Sequence, residues 1–377
     1  MDPVGGKLKS FLVPDLDDAM RRQLGEPAQQ ASLATGVESS LAEERYPVEF
    51  SATAGEYFRI WIVNLGLTIA TLGIYSAWAK VRKRRYLYSH TRIGGEGFEY
   101  RADPIPILKG RLVAVALLVI LFAAGNFIPF FAAAPLLRRL AFVVVAAIAG
   151  PWFLVRSLKF NAYNSAYRNI RLHFVATYGA CLKVVLAYWW VLLLPIAYPY
   201  FKRRLVHFAA ENHFYGTTRF NVLDFKKPFI HAYAVGFGLF FLAGLGLVLS
   251  GVMFGKNEMA SGLSLLGFYF AALLIYAYIR VGATNAVWNS IRIGAVRFTS
   301  QLRARDLMWI YASNLLVILL SLTLATPWAV VRTYRYRASK TTLIAAGSFD
   351  GFVQAETQQV SATGEEVGEM FDIDLAL

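Results

Sequence analysis

NLGLTIATLGIYSAWAKVRKRRY (64–86) returns near the other end of the chain as NLLVILLSLTLATPWAVVRTYRY (314–336). The two stretches align at a fixed offset of 250, which pairs Asn64 with Asn314, Trp78 with Trp328, Arg82 with Arg332, Arg85 with Arg335 and Tyr86 with Tyr336. Working outward, Ser89 and Thr91 pair with Ser339 and Thr341. A more diverged middle copy maps Arg82 to Arg203 and Asp103 to Asp224, both at offset 121. Phe50, Phe174 and Phe298 stand at equal steps of 124 residues, each opening a short extended stretch before an apolar run. Shared Asn, Trp and Thr positions are too specific for chance apolar similarity. A repeat of this length inside membrane-type sequence points to an architecture built by duplication.

Composition places the chain in lipid. Of 377 residues, 57% are hydrophobic and 16% charged. No Asp or Glu lies between Asp103 and Glu211, or between Asp306 and Asp350. A buried soluble core of that size would need acids on its solvated faces, whereas a charge at mid-bilayer costs about 2.5–3.5 kcal/mol or more. The net charge of +14 sits at the edges of the apolar runs, as in KVRKRRY (80–86) and YFKRRL (200–205). That placement suits anionic headgroups rather than nucleic acid. One cysteine, Cys181, excludes an intrachain disulfide and a multi-cysteine metal site. No signal-peptide h-region is visible in the polar N-terminal stretch.

Hydrophobic segments occur at 57–79, 111–131, 139–158, 181–201, 231–253, 263–283 and 308–330, each near the roughly 20 residues that a crossing helix needs. They order the chain into an N-terminal tail (1–45), repeat 1 (46–111), a transmembrane hairpin (112–160), repeat 2 (161–228), a second hairpin (229–284), repeat 3 (285–345) and an acidic C-terminal tail (346–377). Stretches such as YPVEFSA (46–52), GFEYRA (97–102) and TRFNVL (218–223) have strand character. The expected fold is an α-helical multi-spanning membrane protein with an internal threefold repeat. It has about seven hydrophobic helices and short β-strands outside the bilayer, since open strand edges cannot sit in hydrocarbon.

Lysine and arginine placement leaves two main topologies, beside a third of inverted repeats with weak orientation bias. Seven full crossings distribute the basic residues almost evenly over both sides, against the positive-inside rule. If the three repeated segments instead return to their own side, only Arg138, Arg139 and Lys256 remain opposite. Gly66, Gly73 and Pro195 supply helix breakers in the first two segments, but the third is an almost unbroken apolar run.

The stretch EYFRIWIVNLGLTIATLGIYSAWAKVRKRRYLYSHTRIGGEGFEYRADPIPILKGR (56–111) resembles the YjgN-like family of bacterial inner-membrane proteins, a family without an established activity. TLGIYSAWAKVR, RRYLYSHT and the following G-x-x-F-x-Y-x-x-D-P carry the resemblance, which extends over about 46–377. It implies a multi-spanning protein of the bacterial cytoplasmic membrane and transfers no catalytic residue.

Two residue groups are candidates for function. Asn64, Thr71, Tyr75, Asn314 and Thr326 are polar positions inside the repeated segments, suited to lining a pathway or to bonding between helices. Arg82, Lys83, Arg84, Arg85, Arg203, Arg204, Arg332 and Arg335 are candidates for anionic headgroup contacts or for positive-inside anchoring. Asp103 and Asp224 follow the repeats at matching positions; Asp103-Pro104 reads as a turn or helix start, and a paired catalytic role for the two acids is an alternative that no motif supports. His207, Glu211 and His213 fit no metal signature, and no G-x-S-x-G or Walker A motif occurs. No metal, cofactor or catalytic role is therefore expected. The expected partners are membrane lipids, with a further protein partner through strand edges or the acidic tail, and no nucleic acid. The expected function is transport-like, for a small solute or lipid. The alternative is a non-catalytic scaffold or accessory subunit of an envelope complex.

Overall fold

Residues 43–50, EERYPVEF, form the first strand, β1, with Tyr46, Val48 and Phe50 on its less exposed face. In the computed structural model, which describes residues 43–127, 134–192, 194–255 and 257–363, nine more strands follow. They are β2 (Thr91–Ile93), β3 (Glu96–Tyr100), β4 (Ser165–Tyr167), β5 (Ile170–Phe174), β6 (His213–Tyr215), β7 (Thr218–Val222), β8 (Ile291–Ile293), β9 (Val296–Ser300) and β10 (Thr341–Ala346). They close into one barrel, in sequence order around the ring, with β1 between β2 and β10. In the antiparallel ladders Phe50 stands opposite Thr91, Tyr100 opposite Ser165, Phe174 opposite His213, Val222 opposite Ile291 and Ser300 opposite Thr341.

Those five pairs mark one rim, and all paired helices leave from it. α1 (Ala54–Ala70) and α2 (Ser76–Ser89) connect β1 to β2. α3 (Pro104–Phe127) and α4 (Pro135–Tyr163) connect β3 to β4, and α5 (Tyr178–Ala187) and α6 (Tyr198–Glu211) connect β5 to β6. α7 (Lys226–Phe254) and α8 (Glu258–Trp288) connect β7 to β8, and α9 (Ala304–Leu320) and α10 (Thr326–Ser339) connect β9 to β10. Tight turns join the strands at the opposite rim. Gly94 and Gly95 (φ +56° and +83°) turn β2 into β3, and Arg168 and Asn169 (φ +47° and +65°) turn β4 into β5. Positive φ at both central residues matches the right-handed twist of a two-residue hairpin.

The expectation of about seven hydrophobic helices is corrected by this arrangement. Among the described residues, four helices are long and apolar enough to cross a membrane: Pro104–Ala124, Leu136–Tyr163, Lys226–Phe254 and Glu258–Trp288. The three repeated segments instead double back. A chain reversal divides each into two shorter helical arms, so a 20-residue apolar window reads both arms as one. α1 and α9 each have 17 residues, about 25 Å at 1.5 Å per residue, against roughly 30 Å of hydrocarbon.

The reversal has a local cause. Gly73 donates its N–H to the Thr68 carbonyl (2.7 Å), and Thr323 donates to Ile318 (2.8 Å). These are the long backbone bonds of a left-handed helix end. Leu72 and Gly73 have φ of +50° and +92°, and Leu322 and Thr323 have +48° and +74°. The Thr71 hydroxyl accepts from Tyr75 N–H, and Ser321 accepts from Ala325 N–H, each at 3.0 Å. The same turn is thus built once with glycine and once without it.

The threefold repeat is corrected as well. The unit of the barrel is strand, helical hairpin, strand, and it occurs five times, with three short hairpins and two long ones. Similarity in sequence links the short units, while connection to the barrel is common to all five. The strands, expected as short elements outside the bilayer, form one closed ring in which each strand has two neighbours.

Helices from adjacent units pack together: α2 on α3, α4 on α5, α6 on α7, α8 on α9, and α10 on α1. Within one long hairpin, α7 and α8 also approach closely. A Cβ at Gly236 would collide with Ile279, and one at Gly282 with Ala232. Gly238, Gly244 and Gly246, on the same helix as Gly236, have open space around them. The tips of the short hairpins expose large apolar residues, among them Leu72 (95% exposed) and Leu322 (84%), as a lipid-immersed tip requires.

A last helix, α11 (Phe349–Thr363), occupies the first part of the acidic C-terminal stretch. It lies across the turn-bearing rim of the barrel. Residues 1–42 and 364–377, which carry the remainder of both tails, lie outside the described residues.

Candidate functional site

Strand alternation sends every second side chain inward. Ile93, Tyr167, Ile170, Tyr215, Ile291, Ile293, Val296 and Leu343 form the buried inner wall. Each such aliphatic side chain contributes on the order of 1.5–3 kcal/mol when removed from water. The wall does not fill the barrel. A cavity of about 560 Å³ remains, bounded by strand residues such as Val48, Phe98, Leu172, Phe220, Phe298 and Leu343. Ten strands enclose more room than eight, which suffice to hold one small ligand.

At the turn-bearing rim, Phe349 and Phe352 of α11 form the end of the cavity. Glu356, 2% exposed, holds this helix in place. Its Oε1 accepts from the backbone N–H groups of Thr217 and Thr218 and from Thr217 Oγ1, and its Oε2 accepts from Thr218 Oγ1 (2.7 Å). The charge is thus solvated by two amides and two hydroxyls. Arg168 pairs with Asp350 and lies over the Phe349 ring. Gly216 is required here, because a Cβ would stand 2.5 Å from Glu356 Oε1.

At the opposite end the lining comes from the helix termini: Tyr88, Asn161, Thr284, Trp288, Tyr334 and Arg337. The cavity therefore faces the helical, membrane side. Its buried polar groups are mostly satisfied from within. Tyr167 donates to the Ile93 carbonyl (2.6 Å), Tyr215 donates to the Tyr167 carbonyl (3.2 Å), and His213 Nδ1 lies 2.6 Å from the Ala209 carbonyl. Burial raises the Tyr167 and Tyr215 hydroxyls and lowers His213, so all three are neutral near pH 7.

The first group of sequence candidates lies away from this cavity. Asn314 donates to the Ala329 carbonyl and Thr333 Oγ1 and accepts from Arg332 (3.0 Å), all within its own hairpin. Asn64 is equally buried, and its Oδ1 has no hydrogen-bond partner among the described residues. Thr71, Tyr75 and Thr326 belong to the hairpin turns, where Thr326 Oγ1 donates to the Thr323 carbonyl.

The basic candidates divide in two. Arg82, Lys83 and Arg204 are exposed. The others reach protein partners. Arg84 donates to the Tyr100 hydroxyl (3.1 Å) and to Asn161 Oδ1, Arg85 to the Tyr100 and Ala102 carbonyls, and Arg335 to the Ala52 carbonyl (3.0 Å). Arg203 pairs with Asp224 (3.4 Å), and Arg332 donates to Ser313 and covers the Trp328 ring. Asp103 and Asp224 start α3 and α7 by accepting from Ile105 N–H (3.1 Å) and Lys226 N–H (2.9 Å).

Sequence reading missed Arg337, Trp288, Asn161 and the inward tyrosines. Their signal was the two-residue alternation of each short strand, which marks a face but not what that face encloses. Among the described residues no group of three or more His, Cys, Asp or Glu could hold a metal ion.

Four membrane-length helices, with paired strands emerging from their ends into a closed barrel, define an integral membrane protein with a cavity-bearing extramembrane cap. A family profile described as a bacterial protein of unknown function (DUF898) matches residues 45–370, and the chain belongs to this family. It is 30% identical over 158 residues to the inner membrane protein YjgN of Salmonella typhimurium strain LT2, which covers 42% of this chain and 37% of that protein. It is 31% identical over 149 residues to YjgN of Escherichia coli O157:H7, which covers 39% and 34%. The aligned part thus spans little more than a third of these relatives. No solved structure matches. The chain is a multi-spanning protein of the bacterial inner membrane.

Proposed function

We propose that this chain handles lipid, with the barrel cavity taking the apolar tail of a molecule drawn from the bilayer. The observation that carries this reading is the cavity of about 560 Å³, walled by aliphatic and aromatic strand residues and bounded by helix ends on one side. Its size falls within the roughly 300–1,000 Å³ of ordinary ligand sites. A solute channel would need a through path, whereas Phe349 and Phe352 stand across the far end. Lipid tails are as apolar as the barrel wall, so moving one between bilayer and barrel costs little in either direction. That balance suits reversible loading. The basic clusters around the helix-bearing rim support a cytoplasmic barrel under the positive-inside rule.

The test is lipid retention after purification. Val48→Trp places an indole in the cavity from β1. The wild-type protein is expected to keep about one tightly held lipid per chain after detergent exchange, and V48W to lose most of it while its circular dichroism and elution volume stay those of the parent. Equal retention by both proteins, or none by either, refutes the reading.

A further inference from the structure

We infer that the cavity selects an amphiphile with one apolar chain and one anionic head, and that Arg337 reads the head; this rests on the lipid reading above. Three observations carry it. The first is charge. Among the described residues the cavity lining contains no Asp or Glu, and Arg337 is its one permanently charged group. His213, also in the lining, is held below its usual range by burial.

The second is placement. Arg337 stands in the last turn of α10, at the helix-side end of the cavity and opposite the Phe349 floor. The position aligned with it at offset 250 is Leu87, which lines the same cavity. The guanidinium therefore replaces an apolar wall residue and is not part of the basic pattern shared by the repeats. Among the described residues, no side-chain hydrogen bond or ion pair occupies it, unlike Arg332 and Arg335 nearby. Its five donors match a carboxylate or a phosphate. Asn161 adds a second polar group at this end, with its Oδ1 engaged by Arg84 and its amide donating to Ser157 (3.2 Å).

The third is volume. A cavity of about 560 Å³ lies in the middle of the roughly 300–1,000 Å³ range of small-ligand sites, a size that suits a single long acyl chain.

The experiment is displacement of a fluorescent fatty acid from the full-length protein in detergent, with four competitors of defined chemistry. These are hexadecanoate, hexadecanol, a 16-carbon lysophosphatidate and inorganic phosphate. Hexadecanoate and lysophosphatidate are expected to compete about 10- to 100-fold better than hexadecanol, the range that a charge-assisted hydrogen bond supplies. Arg337→Gln should abolish that preference while leaving hexadecanol unchanged, and Arg337→Lys should keep part of it. Equal competition by acid and alcohol in the wild-type protein, or an acid preference that survives in R337Q, overturns the assignment while leaving lipid binding intact. Competition by inorganic phosphate alone would make this a free-phosphate site and also overturn it. Failure of every tailed competitor instead defeats the lipid reading itself.

Discussion

Arg335 Nη2 donates a 3.0 Å hydrogen bond to the carbonyl oxygen of Ala52, a residue 283 positions earlier in the chain. The bond crosses the seam where the last strand of the ring meets the first. Arg85, its counterpart at offset 250, reaches the Ala102 carbonyl of the next unit at 3.5 Å. Each arginine thus ties its own hairpin to the neighbouring one. The β10–β1 seam lacks the tight turn that joins the other units at the opposite rim, so its bond matters more. A hydrogen bond from a charged group contributes about 1.5–3 kcal/mol, with exposed ones at the lower end. Arg335→Met is therefore expected to lower the thermal unfolding temperature by several degrees, and Arg85→Met by less. The reverse order in a detergent-solubilised melt would contradict this account of the seam.

The plug depends on one carboxylate. Glu356→Ala leaves the backbone N–H groups of Thr217 and Thr218 without their acceptor at a buried site, which costs about 1–3 kcal/mol. Opening of α11 should then increase roughly 10- to 100-fold, visible as faster proteolysis or amide exchange across 349–363. Gly216→Val approaches the same contact from the barrel side and should act in the same direction. Unchanged exchange in both variants would remove Glu356 from this role.

The hairpin turns predict opposite signs for two substitutions. Thr323 occupies left-handed backbone at φ +74°, where a residue with a Cβ costs about 1–2 kcal/mol relative to glycine. Thr323→Gly should stabilise by about 1 kcal/mol, and Gly73→Thr should destabilise by a similar amount. Differential melts of the two variants test this, and stabilisation by G73T would be incompatible with the turn.

Low pH should loosen the barrel. Burial lowers both His173 and His213 from the usual 6.5, so the neutral ring is the folded form and the unfolded chain takes up protons first. The stability is whole above about pH 6.5 and declines as the pH falls toward the lowered folded values. A His173→Phe, His213→Phe double variant should flatten the melting temperature between pH 7 and 5. An identical slope in variant and parent would assign the loss to other groups.

Much of the ring was legible in part. The offset of 250 joins positions that share a structural role: Thr71 with Ser321 in the turns, and Tyr86 with Tyr336, whose hydroxyls bond Glu56 (3.0 Å) and Asp306 (3.2 Å). Asp103 read as a helix start and caps α3, and its repeat counterpart Asp224 caps α7 in the same way. The even distribution of basic residues under seven crossings already argued for segments that return. The apolar run at 315–320 hid its own reversal, because Leu322 and Thr323 adopt left-handed backbone without a glycine to announce it. The barrel was not legible for a different reason. Each strand has only three to eight residues, and partners such as Tyr100 and Ser165 are separated by a whole membrane hairpin. Local alternation gives a strand its faces, while ring closure is a property of ten strands together. Arg337 was hidden in the same way, among basic residues whose guanidiniums are engaged elsewhere.

The most direct measurement is photocross-linking from inside the barrel. Phe298 lines the cavity, and Arg292, on the adjacent strand, is exposed on the outer face. With benzoylphenylalanine at either position and cells irradiated before extraction, position 298 is predicted to yield a lipid adduct by intact-mass analysis and position 292 none. Adducts at 292 with none at 298 would contradict a lipid-bearing cavity.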